Sequence, residues 1–246
     1  MALTNSYTVQ LVTKTSALGM RNASVISIPP KFNKNYIKYI VGQFETLDVS
    51  FGPLAEEVFV KEGSMEKVLI FCRTINDCST LYFYFKRKLG HHFTCPAHAP
   101  DISKYRRVEM FHSCTEASVK EQIIKSFTEL DSHLKIVVAT IAFGMGIDCP
   151  NIHRVIHFGP ASSIEDYIQE TGRAGRDGLP STALLWHHIG RRVHMDDCIK
   201  KYIENTTMCR RDLLFSDFDG YSHSDNIKKC SCCDICAVVC NCADCS

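Results

Sequence analysis

From Lys67 onward, short apolar runs alternate with helical patterns, and this restricts the fold more than any other feature of the chain. Lys67-Val68-Leu69-Ile70-Phe71-Cys72 is apolar at consecutive positions, as expected of a strand buried on both faces. Asn76 and Asp77 can cap a helix running to Lys88, and Gly90 stops it. Residues 107–111 alternate as a strand, and 116–127 place Val119, Ile123 and Phe127 on one helical face. Residues 134–139 and 153–158 form further strands, Ser163 caps a helix over 164–171, and residues 183–186 close the series. Strands separated by helices predict a parallel, doubly wound α/β sheet. Residues 91–105, with Pro96 and Pro100 and little periodicity, form a surface loop. At 45% hydrophobic, the chain can fill a core. It has no apolar run of roughly 18 residues, so no membrane-spanning helix is expected. Met1-Ala2-Leu3-Thr4-Asn5-Ser6 lacks the basic-then-apolar pattern of a secretory signal.

Without that signal the 14 cysteines are expected to be reduced, as metal ligands or core residues. Six lie in the first 208 residues and eight crowd into 209–246, a composition shift that marks a separate module. That module opens near residue 189 with a polar amphipathic helix. Cys230, Cys233 and Cys236 have Cys-x-x-Cys-x-x-Cys spacing, with Cys209 upstream. Four thiolates make a closed tetrahedral zinc site of the structural kind; unliganded reduced thiols are the plain alternative. Cys232, Cys240, Cys242 and Cys245 lack good spacing for a second site and are expected to be free thiols, with His223 an ordinary loop histidine.

A net charge of +1 gives no hint of a nucleic-acid partner. The basic clusters Lys86-Arg87-Lys88, Arg106-Arg107, Arg191-Arg192, Arg210-Arg211 and Lys228-Lys229 fit solvated surface equally well.

Two stretches carry the chemistry. Residues 138–148, Val-Ala-Thr-Ile-Ala-Phe-Gly-Met-Gly-Ile-Asp, end a strand in a Gly-x-Gly loop followed by Asp148. Cys149 occupies the place of a third glycine, which excludes a dinucleotide fingerprint; alone, the stretch also fits a tight strand-to-turn connection. Residues 167–178, Tyr-Ile-Gln-Glu-Thr-Gly-Arg-Ala-Gly-Arg-Asp-Gly, leave a helix with Arg173 and Arg176 three apart between glycines. On a helical turn that spacing puts both guanidiniums on one side. Each is permanently charged and forks onto phosphate oxygens, and the glycines let a phosphate chain approach the backbone.

Together these stretches resemble motifs V and VI of superfamily 2 helicases. The wording Gln169-Glu170-Thr171-Gly172-Arg173-Ala174-Gly175-Arg176-Asp177-Gly178 and Ala142-Phe143-Gly144-Met145-Gly146-Ile147 is very similar to the RecQ family. Residues 67–72 with Arg73 resemble motif IV. Cys209-Arg210-Arg211 with Cys230, Cys233-Asp234 and Cys236 resembles the RecQ zinc-binding subdomain that follows the second motor lobe. More weakly, Met1-Ala2-Leu3-Thr4 resembles the start of motif III, while Leu18-Gly19-Met20 and residues 35–39 resemble the run into the second lobe.

The resemblance implies a RecA-like lobe with a small helical zinc-binding module. Residues 1–60 would be a remnant of the first lobe and a connector, 61–188 the second lobe, and 189–246 the zinc-binding subdomain. It also implies roles. Arg176 is the arginine finger on the γ-phosphate, Arg173 joins it, and Gln169 couples nucleotide to DNA. Asp148, Gly146, Gly172 and Gly175 lie at the nucleotide, and Thr140 and Arg73 track DNA phosphates. The implied activity is ATP-dependent 3′-to-5′ unwinding of DNA in repair or recombination, in the nucleus of a eukaryote or otherwise in the cytoplasm. The implied partners are single-stranded and junction DNA and ATP, without a membrane, and the implied resident metal is structural Zn²⁺. No Gly-x-x-x-x-Gly-Lys-Ser/Thr occurs, Thr13 standing where the second glycine would precede Lys14-Thr15, and no Asp-Glu-x-His occurs. Those groups cradle the phosphates and Mg²⁺. The chain is therefore expected to be the C-terminal portion of a longer product, using ATP and Mg²⁺ only with a first lobe, and inactive alone. The alternative is a non-catalytic DNA-binding or regulatory protein built from the same lobe.

Overall fold

The computed structural model describes residues 34–144, 149, 151–188, 195–216 and 227–243. The motif III-like start at Met1 and the Leu18-Gly19-Met20 segment lie outside them. The lobe runs β1 (Ile37–Gln43), α1 (Leu47–Lys61), β2 (Lys67–Cys72), α2 (Ile75–Leu89), β3 (Val108–Phe111), α3 (Ala117–Thr128), β4 (Ile136–Ala139), β5 (Ile152–Phe158), α4 (Ile164–Thr171) and β6 (Ser181–His187). The six strands form one sheet in the order β1-β6-β5-β2-β4-β3. Every pairing is parallel, as the alternation of elements predicts. β2 sits inside the sheet with all six residues buried, and Ile70 faces Val138 on one side and Ile156 on the other.

Local chemistry sets the helix ends. Thr74, in extended conformation, accepts the Asp77 N–H at 3.0 Å. The cap thus falls two residues before Asn76, because Thr74 is the last extended residue after β2. Gly90 ends the helix at φ +53. Ser163 caps α4 as expected, accepting the Asp166 N–H at 3.1 Å.

The expected boundary at residue 61 differs from the structure. Residues 37–61 are not a connector but part of the lobe. β1 pairs with β6 along its whole length, and α1 buries Phe51, Leu54, Ala55 and Val58 at helical spacing. Gly52-Pro53 disguises this helix in the sequence, since the pair reads as a turn signal. Phe51 meets the Phe85 and Phe158 rings edge-on at 6.2 and 5.6 Å. With α2, it packs on the sheet face carrying Val68, Ile70 and Cys72. On the opposite face Phe71 stacks on His157, which packs against Tyr167 of α4.

The cysteine-rich module comprises α5 (Asp197–Glu204), α6 (Arg210–Phe215), α7 (Lys229–Cys232) and α8 (Asp234–Val238). It covers the free side of β1. Cys233 forms a parallel bridge with Tyr39, and the Val41 N–H donates to Asp234 Oδ2 at 3.0 Å. Asp234 Oδ1 accepts from Arg210 Nε at 2.5 Å. Arg211, fully buried, donates to the carbonyls of Lys34 and Ile37 and lies over the Tyr39 ring. Arg210-Arg211 is thus not a solvated pair but the bolt between module and sheet. Among the described residues no helix is long and apolar enough to cross a membrane.

Membership of α1 in the core is testable. Phe51→Ala should lower unfolding free energy by about 3–5 kcal/mol. Val60→Ala, on the same helix but 82% exposed, should stay within about 0.5 kcal/mol. Urea midpoints decide; equal small losses would return residues 47–61 to a connector.

Candidate functional site

In a parallel sheet every strand ends at the same edge, and ligands gather where connections from adjacent strands leave in opposite directions. Here that place lies between β2, whose chain goes on to β3, and β5, whose chain goes on to β6. A cavity of about 650 Å³ opens there, lined by Arg73, Thr140, His157, Gln169, Glu170 and Arg173 among others. Four residues singled out in the sequence, Arg73, Thr140, Gln169 and Arg173, therefore meet around one space.

Each is placed by its element. Arg73 follows β2 directly, and its Nη1 donates to the Pro160 carbonyl at 3.4 Å. Thr140 follows β4; its N–H donates to the Phe111 carbonyl, and its own carbonyl accepts from Phe143, both at 3.1 Å. Gln169 is exposed on α4. The inner face of α4 is anchored by a buried hydrogen bond of 2.7 Å between Glu170 Oε2 and His157 Nε2. Sequence patterning did not flag this pair, because a histidine within an apolar strand carries no local sign of its partner.

The two arginines separate. α4 ends at Thr171, so Arg173 and Arg176 lie on the following turn instead of a shared helical face. Arg173 is buried and lines the cavity, whereas Arg176 is exposed and does not. They remain coupled by charge. Burial first, then the neighbouring Arg176, pulls the Arg173 pKa below the ordinary guanidinium value, while Glu170 opposes. Burial and Arg176 likewise depress Lys34. A guanidinium that has lost hydration beside a like charge gains from an incoming anion.

The chain itself holds this turn. Lys34 Nζ donates to the carbonyls of Gly172 and Ala174 at 2.6 and 3.1 Å. The Gly172 N–H donates to the Ile168 carbonyl at 2.9 Å. At Gly175 φ is +60, the N–H donates to the Ile152 carbonyl, and a Cβ there would lie 2.7 Å from Tyr36 and Ser181 atoms. Internal packing alone requires the glycine. Asp177 accepts from Leu179 N–H and bonds His153 at 2.8 Å. Although burial pushes its pKa up, these partners hold it below the usual carboxylate value. Gly146 and Asp148 lie outside the described residues.

In the module, the sulfur atoms of Cys209, Cys232, Cys233 and Cys236 all lie within 4.8 Å of one another. Tetrahedral zinc with Zn–S bonds of about 2.3 Å sets sulfurs about 3.8 Å apart, and Cys209 to Cys232 measures 3.5 Å. The thiols fit such an ion. Sequence spacing named Cys230 as the fourth member; in the structure Cys232 joins Cys209, Cys233 and Cys236. α7 ends at Cys232 and Cys233 turns to extended backbone, so the two adjacent sulfurs can face one centre. Cys230, two residues earlier on the helix, points about 200° away. Hydrogen bonds from Cys209 and Cys232 draw the Cys233 thiol far down, and Cys232 is pushed up by its bond with Cys209.

The family model "Helicase conserved C-terminal domain" matches residues 51–178. The chain is 40% identical over 123 residues to the ATP-dependent DNA helicase Q-like SIM of Arabidopsis thaliana, covering 43% of this chain and 14% of that protein. It is 35% identical over 229 residues to the ATP-dependent DNA helicase RecQ of Haemophilus influenzae, covering 82% of this chain and 33% of that protein. The chain thus spans a third or less of these relatives' length. Among solved structures, S. cerevisiae Dbp5 L327V bound to RNA and ADP BeF3 shares the fold, with TM-score 0.56 and 21% identity over 83% of this chain and 50% of that one.

Packing at the turn gives a direct test. Gly175→Ala combines a left-handed penalty of about 1–2 kcal/mol with overpacking of about 1–3 kcal/mol. Gly178, also at positive φ but with nothing within 4 Å, should incur only the first. Denaturant titration of both variants should show the larger loss at Gly175; equal losses would refute the packing role.

Proposed function

The chain belongs to the helicase conserved C-terminal domain family, in its RecQ-type branch, and on that premise we propose that it forms the second motor lobe and zinc module of an ATP-driven DNA helicase. One observation carries the reading: Arg73, Thr140, Gln169 and Arg173 converge on a single cavity at the switch point, next to exposed Arg176. Arg73 and Thr140 take DNA backbone phosphates, so sequence preference is slight. Arg173 and Arg176 face the γ-phosphate of a nucleotide held by a P-loop lobe, where they stabilise charge that develops in transfer. Gln169 couples the two groups. The RecQ relationship supports 3′-to-5′ movement, single-stranded and junction substrates, and a place in repair or recombination. A DNA substrate puts the protein in the nucleus of a eukaryote, otherwise in the cytoplasm.

Cys209, Cys232, Cys233 and Cys236 hold a structural Zn²⁺. The ion crosslinks α6 to α7 and α8 and so keeps Asp234 and Arg210 in place against β1.

In the full protein joined to a P-loop lobe, Arg176→Ala should reduce ATP hydrolysis by about 10³-fold or more while single-stranded DNA affinity holds. Arg73→Ala should do the reverse, weakening DNA binding and lowering the salt slope by about one. Equal loss of DNA binding in both variants would assign Arg176 to DNA. By itself the present sequence, without a P-loop, should release no phosphate from ATP. Turnover that disappears in Arg176→Ala would overturn the two-lobe reading in favour of a self-sufficient site.

Zinc removal supplies a further test. Metal-driven folding in small thiolate modules is worth roughly 10–16 kcal/mol apparent. Chelation, or Cys233→Ser, should abolish hydrogen-exchange protection at the Val41 amide while β2 and β4 stay protected. Unchanged Val41 protection would separate the metal from the sheet edge.

A further inference from the structure

Ile141, the residue after Thr140, is 71% exposed and lines the cavity. The cause is local. Residues Ile141–Gly144 form a single 3₁₀ turn. Within it Phe143 is drawn into the core, edge-on to the Phe111 and Phe127 rings at 5.0 and 5.9 Å. On a turn of three residues, a buried Phe143 leaves Ile141, two positions earlier, facing outward. One exposed aliphatic side chain is ordinary on any surface; the neighbours of Ile141 are what give it meaning. Ala142, Pro160 and Ala161 line the same cavity. Arg73 adjoins them, its Nη1 donating to the Pro160 carbonyl at 3.4 Å. The rim thus joins apolar surface to a guanidinium suited to phosphate.

We propose that Ile141 sets the sugar preference at this rim: it packs against the sugar of the bound strand and favours deoxyribose over ribose. This rests on the reading above, in which Arg73 and Thr140 take backbone phosphates. A phosphate at Thr140 brings the sugar attached to it against the next side chain, Ile141. At its 2′ carbon a deoxyribose is a methylene, which gains from aliphatic contact. A ribose carries a hydroxyl there, both donor and acceptor. The side chains of Ile141, Ala142, Pro160 and Ala161 hold no group that can bond it. The hydroxyl therefore loses water without a replacement partner. The contact reads no base edge, in keeping with slight sequence preference.

Titration of the intact chain, purified with zinc present, into fluorescently labelled oligo(dU) and oligo(U) of equal length isolates the 2′ position, since bases and phosphates are the same. Oligo(U) should bind about tenfold more weakly. Ile141→Asn, which offers the hydroxyl a partner, should bring the two affinities level, and Ile141→Val should keep the difference. The position is exposed, so neither change should cost the fold. Oligo(U) with 2′-fluoro groups keeps the ribose-like pucker without the hydroxyl and should bind like oligo(dU). Arg73→Ala should weaken both strands alike and preserve their ratio. Equal affinities in the wild-type chain, or a ratio that survives in Ile141→Asn, would overturn the proposal. So would 2′-fluoro binding as weak as that of oligo(U), which would assign the preference to pucker. Tighter binding of oligo(U) would overturn it by giving the choice to the Ser113 and Ser162 hydroxyls, which also line the cavity. If Arg73→Ala weakens both strands while Ile141→Asn leaves the ratio unchanged, the sugar contact alone fails. If Arg73→Ala changes neither, the phosphate path fails and the sugar contact with it.

Discussion

Parallel pairing governs the rest of this molecule. A parallel strand reaches its neighbour only through a crossover, so all six strands leave the sheet at the same edge. That rule delivers Arg73 and Thr140, each the first residue after its strand, to one rim, although 67 positions of sequence separate them. It also leaves an open edge. β1 is paired on one side only, and an unpaired strand edge invites association with other chains. The Asp234 carboxylate answers this by accepting the Val41 N–H on one oxygen and Arg210 on the other. The cysteine module is in that sense the missing neighbour of β1, with side chains and one bridge in place of a strand.

Charge is organised around the turn that follows α4. Three cations, Lys34, Arg173 and Arg176, influence one another there. Such crowding is tolerated because Lys34 is consumed by two carbonyls and Arg173 has Glu170 nearby. Glu170 in turn is tied to His157 on β5. That pair ties the helix bearing Gln169 to the sheet beside the cavity. The buried histidine–carboxylate contact is therefore itself part of the cavity wall.

The module has a modest apolar interior, chiefly Ile199, Tyr202, Leu214 and Phe215. Its shape relies on buried Arg210 and Arg211 and on sulfur clusters instead. Buried guanidiniums are costly unless every donor finds an acceptor, and the carbonyls of Lys34, Ile37 and Tyr202 provide several. The cysteine cluster, the arginines and the sheet edge consequently form one contiguous unit.

The strand–helix alternation, the parallel sheet and the cleft-forming motifs were legible in the sequence, because each rests on local periodicity or on residues close along the chain. The Ser163 cap and the Gly90 stop belong to the same class. β1 and α1 were not, since Gly52-Pro53 reads as a turn and only the contacts of Phe51 with Phe85 and Phe158 show a core helix. Cysteine spacing pointed to a cluster but not to which sulfurs meet: with the break between α7 and Cys233, Cys232 lies beside Cys209, Cys233 and Cys236. The glycines after α4 announced a special turn, yet Tyr36, Ser181 and Lys34, far away in sequence, decide what that turn requires. Sequence alone determined the class of chemistry, which follows from residue types and short spacings. Tertiary structure decided which atoms meet, because contacts between residues more than a hundred positions apart leave no mark on local pattern.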